Sequence, residues 1–397
     1  MNNASRNGIQ PKPGTDDESG AWLTLEVDTG ALTHNLREMR RLVAPPVRLM
    51  AVVKAEAYGH GLLCASRAFL AGGADMLGVH SWAEARRLRE DGIRQPILIL
   101  GPVSTPEAVA AADAGVDITV SSPAGLVWAA AAGRELRVHL KVETGVNRQG
   151  LTEAELPVVR EMLRQNPQLH PVGLSSHFAD VEDTTDHGFA RQQMDRFHAQ
   201  RDALADVLKP DPLIHMTCSA ATLLWPRIHG SMVRVGVAAY GIWPSRETLV
   251  SFRESGRGPV DLRPAMTLKV RISQVRQVPA GQTVGYGRGW KAMTDSTIAV
   301  LAVGYSDGLP RALGGRAHVL VGGYRAPLVG RICMNLCMAD VSNIPGVRAG
   351  DPAVLLGRQG DEVITAEMLA GHLGTIPYEV LTLPGPTWRR VPKTEPE

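Results

Sequence analysis

The chain has 397 residues, of which 44% are hydrophobic and 21% charged, so it has the composition of a globular protein with enough apolar side chain for a sizeable core. Lysine and arginine (42) nearly balance aspartate and glutamate (40), so charge gives no reason to expect a nucleic acid or a membrane surface as partner. Four cysteines without metal-ligand spacing, together with the lack of a signal-peptide core or a long apolar run, predict a cytoplasmic protein with no bound metal and no membrane span.

The first twenty residues are rich in Asn, Gly, Pro and Ser, and we expect them to form a disordered tail because they offer little apolar surface to bury. An alternating run at residues 22–29 follows, for which pairing with a later domain is one option. The next segment carries Leu32, Leu36, Met39 and Val43 at helical spacing, and it predicts an amphipathic helix.

From residue 49 onwards, apolar strand-like runs alternate with amphipathic segments. The capping box Ser81-Trp82-Ala83-Glu84 and the pair Thr105-Pro106 mark two of the helix starts. Eight parallel βα units predict a TIM (β/α)8 barrel over residues 21–245, and a doubly wound open sheet is the alternative. The eight runs are 49–55, 75–80, 96–101, 117–122, 137–144, 171–178, 212–218 and 232–241.

Beyond residue 245 the pattern changes. Residues 246–263 are charged and irregular, which predicts a linker. Apolar and polar residues then alternate from Met266 to Ile272, and glycine-rich turns separate further β-like runs. We therefore expect an α/β protein in which the barrel is followed by a mostly β C-terminal domain over residues 264–393.

Reactive groups of a TIM barrel gather where the strands end. Lys54 is the most unusual of these groups, because an ammonium inside the apolar run MAVVKA is costly unless it is paired or neutral. It is either an ion-paired or snorkelling lysine, or a desolvated amine of lowered pKa that can form a Schiff base. The polar residues that end the eight runs are Lys54, His80, Lys141 with Glu143, His177, His215 with Ser219, and Arg234.

The sequence around Lys54 resembles the pyridoxal-phosphate lysine motif of bacterial alanine racemases, and the resemblance extends from about residue 22 to residue 393. Separate motifs recur in the order that the family has them, which makes the match specific. These motifs are AVVKAEAYGHG (51–61), KVETGVNRQG (141–150), SSHFA (175–179), HMTCSAATL (215–223), MVRVGVAAYGIWPS (232–245), VGYG (284–287), VGYSDGLPR (303–311), VGRICMN (329–335) and TIPYEV (375–380).

The resemblance implies a fold-type-III enzyme that uses pyridoxal 5'-phosphate to interconvert L-alanine and D-alanine, supplying D-alanine for peptidoglycan. It implies that Lys54 carries the cofactor and is the base on the D-alanine face, while Tyr286 is the base on the L-alanine face with His177 as its partner. Two bases are physically reasonable, because one side chain can hardly reach both faces of a planar centre.

The resemblance also assigns the cofactor's other contacts. Arg234, supported by His215, would face the pyridine nitrogen, and because a guanidinium cannot accept a proton, it would leave that nitrogen largely unprotonated. Hydroxyl and backbone N–H donors suit a phosphate. The residues that match the family's phosphate-binding positions are Tyr58, Ser219, Gly236, Val237 and Tyr378.

For the substrate, the resemblance makes Arg148 the ligand of the carboxylate, with Lys141 at a position that many family members carbamylate to hold this arginine. Met334 matches a substrate-binding position, and Tyr305 matches a residue of the substrate entrance. In the family, the counterparts of Tyr286 and Met334 come from a partner subunit, which implies a homodimer with shared sites.

The chain departs from the family pattern at several positions. Asn335 stands where Asp is usual, which leaves substrate preference open between alanine and serine or a broader range. The other departures are Cys218 for Asn, Glu56 for Asn or Asp, Glu143 for Asp, and Gln149 for an apolar residue. A pyridoxal-phosphate-binding barrel without catalysis is a further alternative, although such proteins lack the second domain. A fold-related decarboxylase is disfavoured, because it would need a carboxylate where this chain has Arg234.

Overall fold

The structure, a computed structural model, describes residues 20–182 and 184–393. The predicted disordered tail therefore lies outside the described residues, apart from Gly20. The chain forms two compact units. The barrel unit comprises Leu25–Thr267, Thr365–Gly385 and the segment that begins at Arg390, and the β unit comprises the segment up to Thr24, Leu268–Ile364 and Pro386–Arg389.

The barrel unit is built on eight parallel strands, as the sequence predicts. The first strand of the barrel, β2, pairs in parallel with both its successor β3 and the last strand β9, which is the connection of a barrel and not of a doubly wound open sheet. After β1 (Leu23–Asp28), the barrel strands are β2 (Arg48–Val52), β3 (Met76–Val79), β4 (Ile97–Ile99), β5 (Asp117–Val120), β6 (Leu136–Lys141), β7 (Leu169–Ser175), β8 (Leu213–His215) and β9 (Met232–Val235).

Every strand of the barrel is shorter than the apolar run that predicts it. The run 49–55 is the instructive case, because β2 ends at Val52 and leaves Lys54 beyond the strand. The strands are almost wholly buried, since helices cover one face and the barrel interior fills the other.

Strands β8 and β9 are neighbours that no strand ladder joins in the described part of the chain. Ser231 links them instead, because its backbone N–H donates to the carbonyl of Ile214 at 3.0 Å. Arg234 on β9 adds a second link, donating from Nη1 to the carbonyl of His215 at 2.8 Å. The seam of the barrel is therefore closed partly by a side chain of the candidate site.

Helices surround the barrel. Residues 246–263, which the sequence predicts to be an irregular linker, contain one of them, because Ser245 Oγ caps its first turn and Phe252 is buried beneath its charged face. The helices are Thr29–Leu42, Leu62–Ala71, Trp82–Glu90, Thr105–Asp113, Pro123–Ala130, Leu156–Gln165, Gly188–Leu204, Ser219–Leu224, Arg246–Glu254, Ala366–Leu373 and Pro377–Thr382. None of the helices in the described ranges is both long and apolar enough to cross a membrane.

The β unit is antiparallel, and its sheet closes on itself. The long strand β10 pairs with β17 through its first half and with β13 through its second half, so six strands follow one another around the unit in the order β10, β13, β16, β15, β14, β17. The remaining strands along the chain are β10 (Met266–Val278), β11 (Thr283–Val284), β12 (Trp290–Lys291), β13 (Ser296–Leu301), β14 (His318–Val321), β15 (Tyr324–Val329), β16 (Cys337–Asp340), β17 (Pro352–Gln359), β18 (Glu362–Ile364) and β19 (Arg389–Lys393).

Candidate active site

The carboxyl ends of the barrel strands surround a cavity of about 610 Å³. Seven of the eight polar residues that the sequence places at strand ends line it, and Glu143 is the exception. Arg148 and the five predicted phosphate-binding residues also line it. The predicted residues at the cavity are Lys54, Tyr58, His80, Lys141, Arg148, His177, His215, Ser219, Arg234, Gly236, Val237 and Tyr378.

Lys54 follows β2 by two residues, and its side chain is exposed to the cavity. The surrounding protein atoms desolvate its ammonium, and this together with the nearby Arg148 guanidinium lowers the pKa of Lys54; Glu84 opposes the shift and Arg234 adds to it. A lysine whose pKa is lowered has a larger neutral fraction, and the neutral amine is the nucleophile and the base.

The four residues after Lys54, from Ala55 to Tyr58, form a left-handed turn in which every φ lies between 51° and 55°. Such a conformation costs roughly 1–2 kcal/mol per residue for L-amino acids, so its neighbours must hold it. Glu84 Oε1 accepts the backbone N–H of Ala55 at 2.7 Å, and the Glu56 carboxylate pairs with Arg87. Glu56, a departure from the family pattern, thus anchors the strained turn.

Ser219 and Gly236 form a small polar cradle at one end of the cavity. The Ser219 hydroxyl oxygen accepts the backbone N–H of Gly236 at 3.0 Å and that of Ala238 at 3.4 Å. A Cβ at Gly236 would lie 2.5 Å from the Tyr58 hydroxyl. A glycine at this position therefore lets the backbone lie close to the Tyr58 side chain. Because the Ser219 oxygen accepts both of these N–H groups, its own hydroxyl proton is left to donate, and a phosphate accepts from such a donor.

Tyr378 also reaches this end of the cavity, from the helix Pro377–Thr382. Its hydroxyl donates to the carboxylate of Glu182 at 2.9 Å, and burial together with Glu182 raises the pKa of Tyr378. The neighbouring departure, Cys218, is neutral, because burial raises its pKa to about 12. Glu182 is a cavity residue that sequence reasoning missed, since it lies on a loop outside every motif.

Arg234 is buried and lines the cavity, where it makes hydrogen bonds with four residues: His215 on β8, Met216 after β8, and Ser176 and His177 after β7. Nη1 donates to His215 Nδ1 at 2.6 Å, and Nη2 donates to the carbonyl of Ser176 at 2.7 Å. Burial lowers the pKa of Arg234 to about 10, so it remains a cation at neutral pH. The Arg234 Nε–H has no hydrogen-bond acceptor among the residues that the structure describes. This donor is therefore available to a ligand.

His177 lies against the same guanidinium. Arg234 Nη2 donates to His177 Nδ1 at 3.3 Å, which leaves the ring proton on Nε2. Burial and the surrounding cations, with Arg234 first among them, lower the pKa of His177 well below its usual value. His177 is therefore a neutral imidazole with one N–H to donate.

Lys141 and Arg148 form the cationic wall of the cavity. Burial, Arg234 and Arg148 lower the pKa of Lys141 to about 8, and its Nζ donates to Gln149 Oε1 at 3.2 Å. Glu143, whose role the sequence did not assign, accepts the backbone N–H of Gly145 at 2.5 Å and orders the loop that carries Arg148. The departures Gln149 and Glu143 therefore support the loop rather than disrupt it.

Tyr286, Tyr305 and Met334 lie in the β unit, and they are not among the residues that line the cavity of the barrel unit. Their side chains are 71%, 45% and 57% exposed. A large exposed aromatic beside an exposed methionine is typical of a surface that meets another protein.

Comparison with known proteins identifies relatives along nearly the whole chain. Family models described as "Alanine racemase, N-terminal domain" and "Alanine racemase, C-terminal domain" match residues 27–244 and 265–392. The alanine racemase of Desulfosudis oleivorans is 40% identical over 379 residues, which cover 92% of this chain and 95% of that protein. The alanine racemase of a Nostoc species is 36% identical over 368 residues, covering 91% and 92%.

Solved structures are similar over the same extent. The crystal structure of the Bacillus anthracis alanine racemase, which has L-Ala-P bound, has a TM-score of 0.85 at 33% identity. The match covers 92% of this chain and 93% of that chain. The alanine racemase of a D-cycloserine-producing Streptomyces lavendulae has a TM-score of 0.84 at 35% identity, with 95% of this chain and 97% of that chain covered.

Proposed function

Because the chain belongs to the alanine racemase family, as its motifs predict, we propose that it is an isomerase that interconverts L-alanine and D-alanine with pyridoxal 5'-phosphate held at Lys54. The observation that supports this proposal is the set of side chains that line one cavity. An amine of lowered pKa, a buried guanidinium and a polar cradle with a hydroxyl donor all line it.

The residues of the cavity fit pyridoxal phosphate. Lys54 would hold its aldehyde carbon, and Arg234 Nε–H would face the pyridine nitrogen. When bound, the cofactor withdraws electrons from the α-carbon of an amino acid and so makes the α-proton acidic. The phosphate would lie among Tyr58, Ser219, Gly236, Val237 and Tyr378, whose hydroxyl and backbone N–H groups are its donors.

Glu182 opposes this fit. Its carboxylate accepts the Tyr378 hydroxyl, and a carboxylate and a phosphate that share one donor repel each other. We propose that the Tyr378 hydroxyl turns from Glu182 to the phosphate when the cofactor binds.

Two bases complete the mechanism that we propose. Lys54 Nζ removes or returns the α-proton on the D-alanine face, and the phenolic oxygen of Tyr286 does so on the L-alanine face. A phenol has an ordinary pKa near 10, so its anion needs stabilisation to act as a base at neutral pH. The Nε2–H of the neutral His177 can supply a hydrogen bond to that oxygen, and Arg148 binds the substrate carboxylate.

A second copy of the chain is part of this proposal. Tyr286 and Met334 are exposed on the β unit, and a homodimer would let them complete the cavity of the partner's barrel unit. We further propose that the enzyme works in the cytoplasm and supplies D-alanine for peptidoglycan, which rests on the family and on the small number of cysteines.

The test of the proposed function is an absorption spectrum followed by a racemisation assay. The purified protein with added pyridoxal phosphate should show the band of a lysine-bound cofactor and convert L-alanine to D-alanine. Lys54→Ala should lose both the band and all turnover. Optically pure alanine that stays unchanged in the presence of the cofactor would overturn the proposal.

Asn335 supports a second candidate function, racemisation of serine or of a broader range of amino acids. Its Nδ2 donates to Ser306 Oγ at 2.7 Å, which the carboxylate of an aspartate cannot do. Kinetics on a panel of amino acids would distinguish the two candidates, since a kcat/KM that is higher for serine than for alanine would favour the second.

A further inference from the structure

A buried chain of hydrogen bonds runs from Arg234 across the interior of the barrel to Asp117. Arg234 Nη1 contacts His215 Nδ1 at 2.6 Å, and His215 Nε2 contacts His139 Nδ1 at 2.9 Å. His139 Nε2 contacts Asp117 Oδ2 at 3.3 Å. The four residues lie on four different strands, and both histidine rings are at most 1% exposed.

The two ends of this chain fix every proton within it. Arg234 can only donate, so His215 Nδ1 must accept, and the neutral His215 ring carries its proton on Nε2. That proton points at His139 Nδ1, which must also accept. His139 therefore carries its proton on Nε2 and donates it to the carboxylate of Asp117.

Glycine at position 173 makes room for the central ring. A Cβ on Gly173 would lie 2.2 Å from His139 Nδ1 and 2.6 Å from Cε1. The φ of this glycine is not in the left-handed region, so backbone conformation does not require it. Gly173 is instead required because a side chain at this position of β7 would collide with the His139 ring.

We propose that Asp117 and His139 are positioning residues for the reaction, which act through His215 to hold Arg234 in the orientation that leaves its Nε–H aimed into the cavity. This inference rests on the proposed function, because the role of Arg234 toward the pyridine nitrogen belongs to that function. Neither residue could be predicted from the sequence, since neither ends a strand run.

The anion at Asp117 gives the chain its direction. Without it, His139 can carry its proton on Nδ1 and donate to His215, whose own proton then moves to Nδ1 and faces a guanidinium that cannot accept. Arg234 would lose one of its short contacts and turn away from its present orientation. Burial and the neighbouring Arg234 lower the pKa of His215 well below its usual value, so protonating the ring does not relieve the conflict.

The proton positions are measurable without the cofactor. Long-range proton–nitrogen NMR correlations on the full-length protein, labelled with 15N at histidine, report which nitrogen of each ring is protonated. We expect His139 and His215 both to be neutral with the proton on Nε2. A doubly protonated ring, or a proton on Nδ1 in either residue, would overturn the inference.

Two substitutions at one position then separate positioning from packing. Gln in His139→Gln can accept from His215 and donate to Asp117, whereas His139→Leu can do neither. Because His139→Leu loses a hydrogen bond of a charged network, its kcat is expected to fall at least about tenfold. Its KM for alanine should change less than about twofold. His139→Gln should keep its kcat within about threefold of the wild type. His215 should keep its proton on Nε2 in both variants, because Arg234 still only donates to Nδ1. In the Leu variant that proton loses its acceptor, so the Nε2 signal of His215 should shift in the Leu variant only.

Arg137→Gln is the matched control, because Arg137 Nε donates to the outer oxygen of Asp117 at 2.9 Å and its side chain is largely exposed. It should leave the proton positions of both histidines and the kcat as in the wild type. An unchanged kcat and an unchanged His215 signal in His139→Leu would refute the inference. If the wild type fails to racemise alanine, the proposed function fails, and the NMR result then stands or falls separately.

Discussion

The carboxylate of Glu84 accepts the backbone N–H of Ala55 at 2.7 Å, which ties a helix start to the residue that follows Lys54. The other oxygen of the same carboxylate accepts the backbone N–H of His80 at 2.7 Å and of Ser81 at 3.2 Å. One side chain therefore closes a capping box and anchors a left-handed turn. Because that turn is strained, the position of the Lys54 amine depends on this anchor.

We predict that Glu84→Ala weakens cofactor retention and lowers kcat for alanine by about tenfold or more. A reactive group that is displaced by about 1 Å can lower a rate by at least this factor. Removal of the capping contacts should also reduce the free energy of unfolding by about 1 kcal/mol. Chemical denaturation and cofactor absorbance measure the two effects on the same samples.

Glu107→Ala is the matched control for Glu84→Ala. Glu107 Oε2 accepts the backbone N–H of Ser104 at 2.8 Å, so it closes an equivalent box at the start of another barrel helix, away from Lys54. It should lose similar stability and keep its cofactor and kcat. Equal losses of activity in the two variants would show that Glu84 acts only on the helix.

The eight barrel strands and the polar residues at their ends could be predicted from the sequence, because apolar runs repeat and reactive groups collect at strand ends. The turn from Ala55 to Tyr58 could not, since none of its residues is a glycine and no local pattern indicates positive φ. Asp117, His139 and Glu182 were missed for another reason. The partners of Asp117 and His139 lie on other strands, and the partner of Glu182 lies on the helix Pro377–Thr382, so only the folded barrel unit brings these residues together.

We predict that Tyr286→Phe abolishes exchange of the α-proton of L-alanine, while D-alanine still exchanges its α-proton through Lys54. Loss of a general base lowers a rate by about 100- to 10,000-fold. The side chain is 71% exposed in the single chain, so the substitution should leave folding unchanged. NMR of alanine in deuterated water, begun separately from each enantiomer, measures the two rates.

Tyr324→Phe serves as the comparison, because Tyr324 on β15 is also an exposed tyrosine of the β unit, at 57%, and no motif of the family includes it. Its exchange rates should match those of the wild type for both enantiomers. L-alanine exchange that persists at the wild-type rate in Tyr286→Phe would remove Tyr286 as a base.

We predict that Glu182→Gln binds pyridoxal phosphate more tightly, because the variant removes an anion that shares the Tyr378 hydroxyl. One repulsive charge at short range in a partly solvated site is expected to change the Kd by about threefold to tenfold. Titration of the cofactor-free protein at low and high salt measures the effect, which should shrink as salt screens the charge. Asp180→Asn removes an exposed charge from the same loop and should change the Kd little.

We predict that Lys141 takes up carbon dioxide in a pH-dependent manner. Carbamylation requires the neutral amine and releases a proton, so it is favoured as the pH rises through the pKa of the lysine and is reversed as the pH falls. The pKa of about 8 for Lys141 leaves about a tenth of the amine neutral at pH 7, against well under a thousandth for an ordinary lysine. The carbamate anion would also replace the repulsion between Lys141 and Arg148 by attraction.

Carbon-13 NMR with labelled bicarbonate tests this reaction. A carbamate resonance should be strong above pH 8, weaken toward pH 6 and be missing in Lys141→Arg, which keeps the positive charge and cannot be carbamylated. The Lys141→Arg variant should also bind alanine more weakly, because two cations then face each other beside the carboxylate site. A resonance of equal intensity in Lys141→Arg would assign the modification to another lysine, and its absence from the wild type at high pH would leave Gln149 as the partner that holds Lys141.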